Sequence, residues 1–253
     1  MPDCRFCGAE AKLTGEHVFP DWIRKATGGD GGARYFRRKA DGTVDQWQTL
    51  AYKTKVKDVC LSCNSGWMSE IEAAVIPILT PMIFDSAAAE LHEPQLTYVA
   101  TWAVLRSLVV PLAAGPDDLP IGYYRTLHRH RKVLPNTAVW LGHLDGTDAR
   151  TAFFIGVTLD SNIDREGDKP DGYIATMAIG ELVTRVFILD PGIGELGPVS
   201  NVGYDENLVR VWPNVDAASW PPKALDVASY TGLIRELPRA SARIRLDLQQ
   251  HDG

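Results

Sequence analysis

The chain has 253 residues, 45% of them hydrophobic and 23% charged, with a formal net charge of −6. That length suits one large domain or two modest ones, and the composition is that of a globular chain, not a disordered or fibrous one. No run of 18 uncharged apolar residues occurs, so no membrane span is expected, and the first residues lack the apolar stretch of a signal peptide.

Charge is unevenly spread. Residues 1–67 carry 11 Lys and Arg against 8 Asp and Glu, a balance of +3, which leaves −9 for residues 68–253. Between 34 and 57 the count is 7 basic side chains (Arg34, Arg37, Arg38, Lys39, Lys53, Lys55, Lys57) against Asp41 and Asp45. The acidic total argues against a nucleic-acid binder, but this local excess is where a phosphate backbone would lie.

In chain order, Cys4-Arg5-Phe6-Cys7-Gly8 reads as a metal knuckle, two thiols on a tight turn whose amides face the sulfurs. Residues 12–20 read as a short strand leading to Pro20. Residues 21–26 suit a helical turn or two, ended by the glycine run 28–32. No Gly-Lys-Ser/Thr follows that run, so it is no phosphate loop. Residues 34–40 and 46–58 alternate as strands do, the second with a wet basic face. From Asn64 the period turns helical. Trp67, Ile71, Val75 and Leu79 form a stripe that should end near Pro81, with Glu70 and Glu72 solvated.

Residues 95–114 predict an apolar core helix, and 117–130 a further helix closed by Pro135. Residues 123–132 combine aromatics with basic side chains, which suits either a nucleic-acid contact or an exposed cationic helix end. Strands follow at 138–143, 152–159, 173–179, 182–189 and 209–212, separated by turn residues as an antiparallel meander requires. Residues 219–223 read as a turn into a last helix over 226–236, and 249–253 as a loose tail. His92 and His143 are isolated and read as structural.

All four cysteines fall into two C-x-x-C pairs, Cys4/Cys7 and Cys60/Cys63, separated by 52 residues. Paired spacing of this kind predicts one structural Zn²⁺ held by four thiolates, and with no secretory signal it favours metal over disulfides and a reducing cytoplasm. Between the pairs stands Glu16-His17-Val18-Phe19-Pro20, and Asn64 directly follows the last cysteine. In this order the motifs resemble the zinc-supported HNH endonuclease superfamily, whose pattern is C-x-x-C, then acid-His-x-x-Pro, then C-x-x-C-Asn or C-x-x-C-His. The resemblance covers residues 4 to about 72.

The helices and strands read beyond residue 80 make the chain α+β, with a larger α+β domain carrying an antiparallel sheet over 81–253. The resemblance implies a small zinc-bound ββα-metal domain over 1–80. It implies metal-dependent hydrolysis of phosphodiester bonds in DNA. His17 would be the general base, and Glu16 and Asn64 would hold a catalytic Mg²⁺ or Mn²⁺. By the local excess of charge, and not by the resemblance, Arg37, Arg38, Lys39, Lys53, Lys55 and Lys57 would meet phosphates. Two positions depart from the pattern. The acid is Glu16 where the family has Asp, and no Asn stands in Thr54–Asp58, where the family's middle Asn helps hold the His-bearing loop. The alternatives are a catalytically inactive zinc-finger nucleic-acid-binding protein, or a purely structural zinc unit beside a small-molecule or protein site in the second half.

Overall fold

A computed structural model of the chain describes residues 1–23, 32–38, 44–50, 54–113, 119–146, 149–157, 171–190, 194–213, 215–236 and 239–244. The expected loop at 28–31 and the tail at 249–253 lie outside them, as do Lys39 and Lys53.

Strand β1 (Leu13–His17) ends one residue after Glu16. After a helical turn at Asp21–Ile23 the chain forms β2 (Gly32–Arg38) and β3 (Val44–Leu50), a hairpin in which Arg37 stands opposite Asp45. It then returns as β4 (Lys55–Cys60), antiparallel to β1, with Leu13 opposite Cys60 and His17 opposite Lys55. The single strand expected over 46–58 is therefore two. The first half pairs with β2 in one sheet, and the second turns back to deliver Cys60 beside β1. The alternation in β4 holds: Lys55 and Lys57 are exposed, Val56 is buried.

Beyond β4 a wide turn, Cys63–Met68, is broken at Gly66 (φ −96, ψ −117) and runs into α1 (Ser69–Phe84). The stripe Trp67, Ile71, Val75, Leu79 faces inward as its spacing requires. Pro77 and Pro81 both lie inside the helix, which continues to Phe84. A short β5 (Ala89–His92) leads to α2 (Gln95–Leu112), which is buried from Val99 to Pro111. Two segments, Cys63–Phe84 and Gln95–Leu112, are long and apolar enough to cross a membrane, but 78% of the second lies buried inside the fold. That burial is how a core helix behaves. Helix α3 (Ile121–His130) follows, ending with Arg131 in the left-handed region (φ 52).

The remaining strands are β6 (Thr137–His143), β7 (Ala149–Val157), β8 (Gly172–Gly180), β9 (Leu182–Leu189), β10 (Gly194–Ser200), β11 (Leu208–Trp212), β12 (Ala217–Trp220) and β13 (Arg239–Ile244). Strands β5, β10, β12 and β13 were not expected from the pattern. They are short or irregular edge pairs, β12 with β5 and β10 with β13, and Ser219–Trp220 is strand where a turn was expected. Helix α4 (Val227–Leu233) is capped by Asp226, whose carboxylate accepts from the Ser229 amide at 2.7 Å.

One seven-stranded sheet, in the order β11-β6-β9-β8-β7-β2-β3, organises the second half and takes its last two strands from the first. Every pairing in it is antiparallel except β2 with β7. Over β6, β8 and β9 it is covered on both faces, which is why those strands read as near-continuous apolar runs. Tyr173, Met177, Val186 and Ile188 join the core of α1 and α2. Ile174, Val183, Phe187 and Leu189 join the core of α4. The first core is continuous from Cys4 and Phe6 through Leu79 to Trp220. The residue-80 boundary thus falls within α1, and neither the sheet nor this core stops there. The fold is mixed α+β.

Candidate metal centre

The Sγ atoms of Cys4, Cys7, Cys60 and Cys63 all lie within 4.8 Å of one another, with Cys7 and Cys60 at 3.6 Å. A tetrahedral zinc with bonds of about 2.3 Å needs sulfurs about 3.8 Å apart, so the donor set and its size fit a metal ion such as zinc. All four thiols are free, and three are buried. Backbone geometry builds the nest. Gly8, at φ +83, closes the first turn and donates to the Cys4 carbonyl at 2.9 Å. The Arg5 amide donates to the Asp58 carbonyl at 2.8 Å, and the Cys60 amide to Cys4 Sγ at 3.4 Å.

The thiols are unlike in acidity. Burial works to raise Cys60, but hydrogen bonds from the Ser62 hydroxyl and the Cys63 backbone outweigh it and bring the thiol down to about 6. Burial raises Cys63 well above the ordinary thiol value, with the Trp67 indole pulling the other way. Cys7 is also raised by burial.

The Glu16 carboxylate is committed. Glu16 is 6% exposed, and Arg106 Nη1 of α2 meets its Oε1 at 2.9 Å. The same Nη1 donates to the His17 carbonyl at 3.0 Å, and Nη2 reaches Glu72 Oε1 at 3.5 Å. Arg106 is fully buried. Glu72, expected to be solvated, is half-buried. Burial raises its pKa, with Arg106 opposing and Glu16 and Asp21 adding to the rise. Glu70 stays exposed.

Asn64 donates its amide to Thr14 Oγ1 at 3.1 Å and so fastens the start of the helical segment to β1. His17 is half-buried at the end of β1. The fold therefore brings Glu16, His17 and Asn64 to one strand and the turn behind it, but directs Glu16 toward α2.

Arg106 was missed by pattern reading, although a signal existed. It is a lone cation amid Ala103-Val104-Leu105 and Leu108-Val109-Val110. A charge in the middle of a core helix requires a buried partner.

Of the basic residues, Lys55 and Lys57 are exposed on β4, and the Lys55 stem crosses the face of Gly15, where a Cβ would lie 2.8 Å from its Cδ. Arg37 and Arg38 stand on β2, in the other sheet, between β7 and β3. The cations that are adjacent in composition are thus divided between two sheets.

The cysteine unit docks on α3. Phe6 meets Trp67 and Tyr124 edge-on at 5.6 and 5.2 Å, Trp67 meets His128 at 6.0 Å, and the Arg5 guanidinium lies 5.0 Å from the Tyr124 ring centre. A Cβ on Gly8 would collide with the Arg125 guanidinium. Comparison of the chain with protein-family models, with curated proteins and with solved structures found no match, so its chemistry is argued from its own residues.

Proposed function

We propose that this chain is a zinc-stabilised, metal-dependent endonuclease that hydrolyses phosphodiester bonds in DNA, with His17 as the general base. One observation carries the reading. The four-cysteine cluster fastens β1, β4 and the following helix into a strand–strand–helix unit, with His17 at the end of β1 and Asn64 bonded across to Thr14. This unit supports the reading that the motif order suggests. His17 takes a proton from water near neutral pH, as imidazole is suited to do. Arg106, donating to the His17 carbonyl, holds the His-bearing segment where the family pattern would use its middle Asn. Glu16 and Asn64 would hold the divalent ion, whose chemistry is to stabilise charge on the phosphate oxygens. Loading it requires Glu16 to share or exchange its bond to Arg106.

The Glu16–Arg106 pair also favours a second reading, a zinc-held nucleic-acid-binding module without hydrolysis. In that case the carboxylate serves only to neutralise Arg106.

Nicking of supercoiled plasmid in Mg²⁺ or Mn²⁺ separates the two. Wild type should nick, and His17→Ala should lose about 10²–10⁴ in rate while keeping its zinc. Wild type without nicking activity, or His17→Ala cutting at the wild-type rate, would replace the nuclease reading with the binding module.

A further inference from the structure

We infer that the C-terminal end of α3, with the residues just beyond it, is a phosphate-binding surface for duplex DNA. It is separate from the basic strands at 34–57. Resting on the proposed function, it names where the second half of the chain meets the same substrate.

The sequence from Leu119 to Leu144 contains no Asp or Glu, yet carries Arg125, Arg129, Arg131 and Lys132. The whole chain stands at −6, so the rest of it stands at −10 without these four. Arg129, His130, Arg131 and Lys132 are all exposed, while Tyr123, Tyr124 and Leu127 bury the other side of the helix. Among the described residues the one acid drawn to this crown is Glu70, 3.9 Å from Arg131 with both side chains largely in water, a contact worth little.

Place matters as much as charge. His128 packs on Trp67, Tyr124 on Phe6, and Arg125 over Gly8 of the first cysteine turn. The crown therefore stands beside the unit that carries His17 and Asn64. Its field is felt locally: burial first, then Arg131 and Arg125, lower the pKa of His128. A helix C-terminus alone would favour cations in its last turn, but Arg131 and Lys132 lie past that turn. Cations that meet, among the described residues, only one weakly held acid fit a polyanion in an acidic protein.

The test is fluorescence anisotropy of a labelled 20-base-pair duplex with the full chain, read as log Kd against log salt. Each lost phosphate contact lowers the slope by about 0.9. Arg129→Gln/Arg131→Gln/Lys132→Gln should flatten it by about 2–3, and Arg131→Gln/Lys132→Gln, which leaves the helix intact, by about 1–2. A control with equal charge loss, Arg210→Gln/Lys223→Gln/Arg235→Gln, should keep the wild-type slope. An unchanged slope in both crown variants, equal flattening in the control, or tighter binding of RNA or polyglutamate than of the duplex would overturn the inference. Flattening in a protein that does not nick plasmid would leave the surface standing and remove the nuclease reading. Nicking with an unflattened slope would do the reverse.

Discussion

Two arginines, Arg106 and Arg185, are fully buried on opposite sides of the large sheet, and they are accommodated in opposite ways. Arg106 sits among carboxylates, 2.9 Å from Glu16 and 3.5 Å from Glu72. Among the described residues, the hydrogen-bond acceptors around Arg185 are neutral. Its Nε meets Asn201 Oδ1 at 2.9 Å, its Nη1 meets Thr176 Oγ1 and the Leu233 carbonyl at 3.1 and 2.9 Å, and its Nη2 meets the Glu236 carbonyl at 2.6 Å. Burial lowers its pKa to about 10, so it remains charged at neutral pH. The Leu233 and Glu236 carbonyls lie at the end of α4, where a cation complements the helix dipole. Arg185 is a fastener for a short helix. Arg106 joins α2 to groups that can change their protonation or partners, and it does so at the segment that holds His17. On the proposed function, the cysteine side of the fold is the chemical side and the α4 side the scaffold.

The largest expected effect tests whether these sides are separable. A structural zinc contributes an apparent binding free energy of about 10–16 kcal/mol, most of it spent on folding the unit that holds it. Cys60→Ser, or a strong chelator, should therefore remove the metal and expose the amides of β1 and β4 to hydrogen exchange. Amides of β8 and β9, held by both cores, should exchange later. Elemental analysis below half an equivalent of zinc in fresh wild type would refute the metal. Simultaneous loss of protection in all four strands would erase the distinction between the sides.

The next effect compares the arginines directly. Arg106→Met leaves buried acids without their cation, which costs about 3–5 kcal/mol. Arg185→Met leaves neutral acceptors unsatisfied, at about 1–3 kcal/mol for each that water does not reach. The two losses are of similar size near pH 7, but their pH dependence differs. Glu72 already has a raised pKa, and losing Arg106 raises it further. A raised carboxyl contributes stability that is full below its unfolded value of about 4.3 and is lost as pH rises through the folded value. The Arg106→Met deficit should therefore grow between pH 4.5 and 7, and the Arg185→Met deficit should stay flat. Urea midpoints at four pH values would show this, and parallel curves would mean that the acids around Arg106 take no part.

Much of this was legible in the residues, and the failures have physical reasons. The cysteine pairs show their spacing directly, because a metal sets local geometry that a C-x-x-C turn already satisfies. Helix α2 and strands β6, β8 and β9 announce themselves because two-sided burial leaves long apolar runs. The split of 46–58 into β3 and β4 was hidden, since alternation records which face is wet but not which strand is the partner. The pairing of β2 with β7 was likewise invisible, being a contact across more than a hundred residues. Glu16 illustrates the limit for the site. Its motif position suggests a metal ligand, but the cation that occupies its carboxylate comes from residue 106.

The smallest effect extends the comparison to a third arginine neighbourhood, one where the neighbour is repelled. Arg106 attracts acids and Arg185 binds neutral oxygens, whereas the charges of Arg131 and Arg125 act on His128, whose ring meets Trp67. Burial disfavours the imidazolium first, and the two guanidinium charges disfavour it further. A base whose folded pKa is depressed contributes stability that is present above its unfolded value of about 6.5. That stability is lost as pH falls through the folded value. Wild type should therefore lose stability on acidification below pH 6.5, and His128→Gln should flatten that part of the curve. Arg131→Gln should raise the His128 titration midpoint, because it removes charge without removing the ring contact with Trp67. Imidazole NMR titrations of wild type and Arg131→Gln read this directly. A midpoint unmoved by Arg131→Gln would mean that burial alone sets the histidine, and that the α3 crown is too well screened to act on its neighbours.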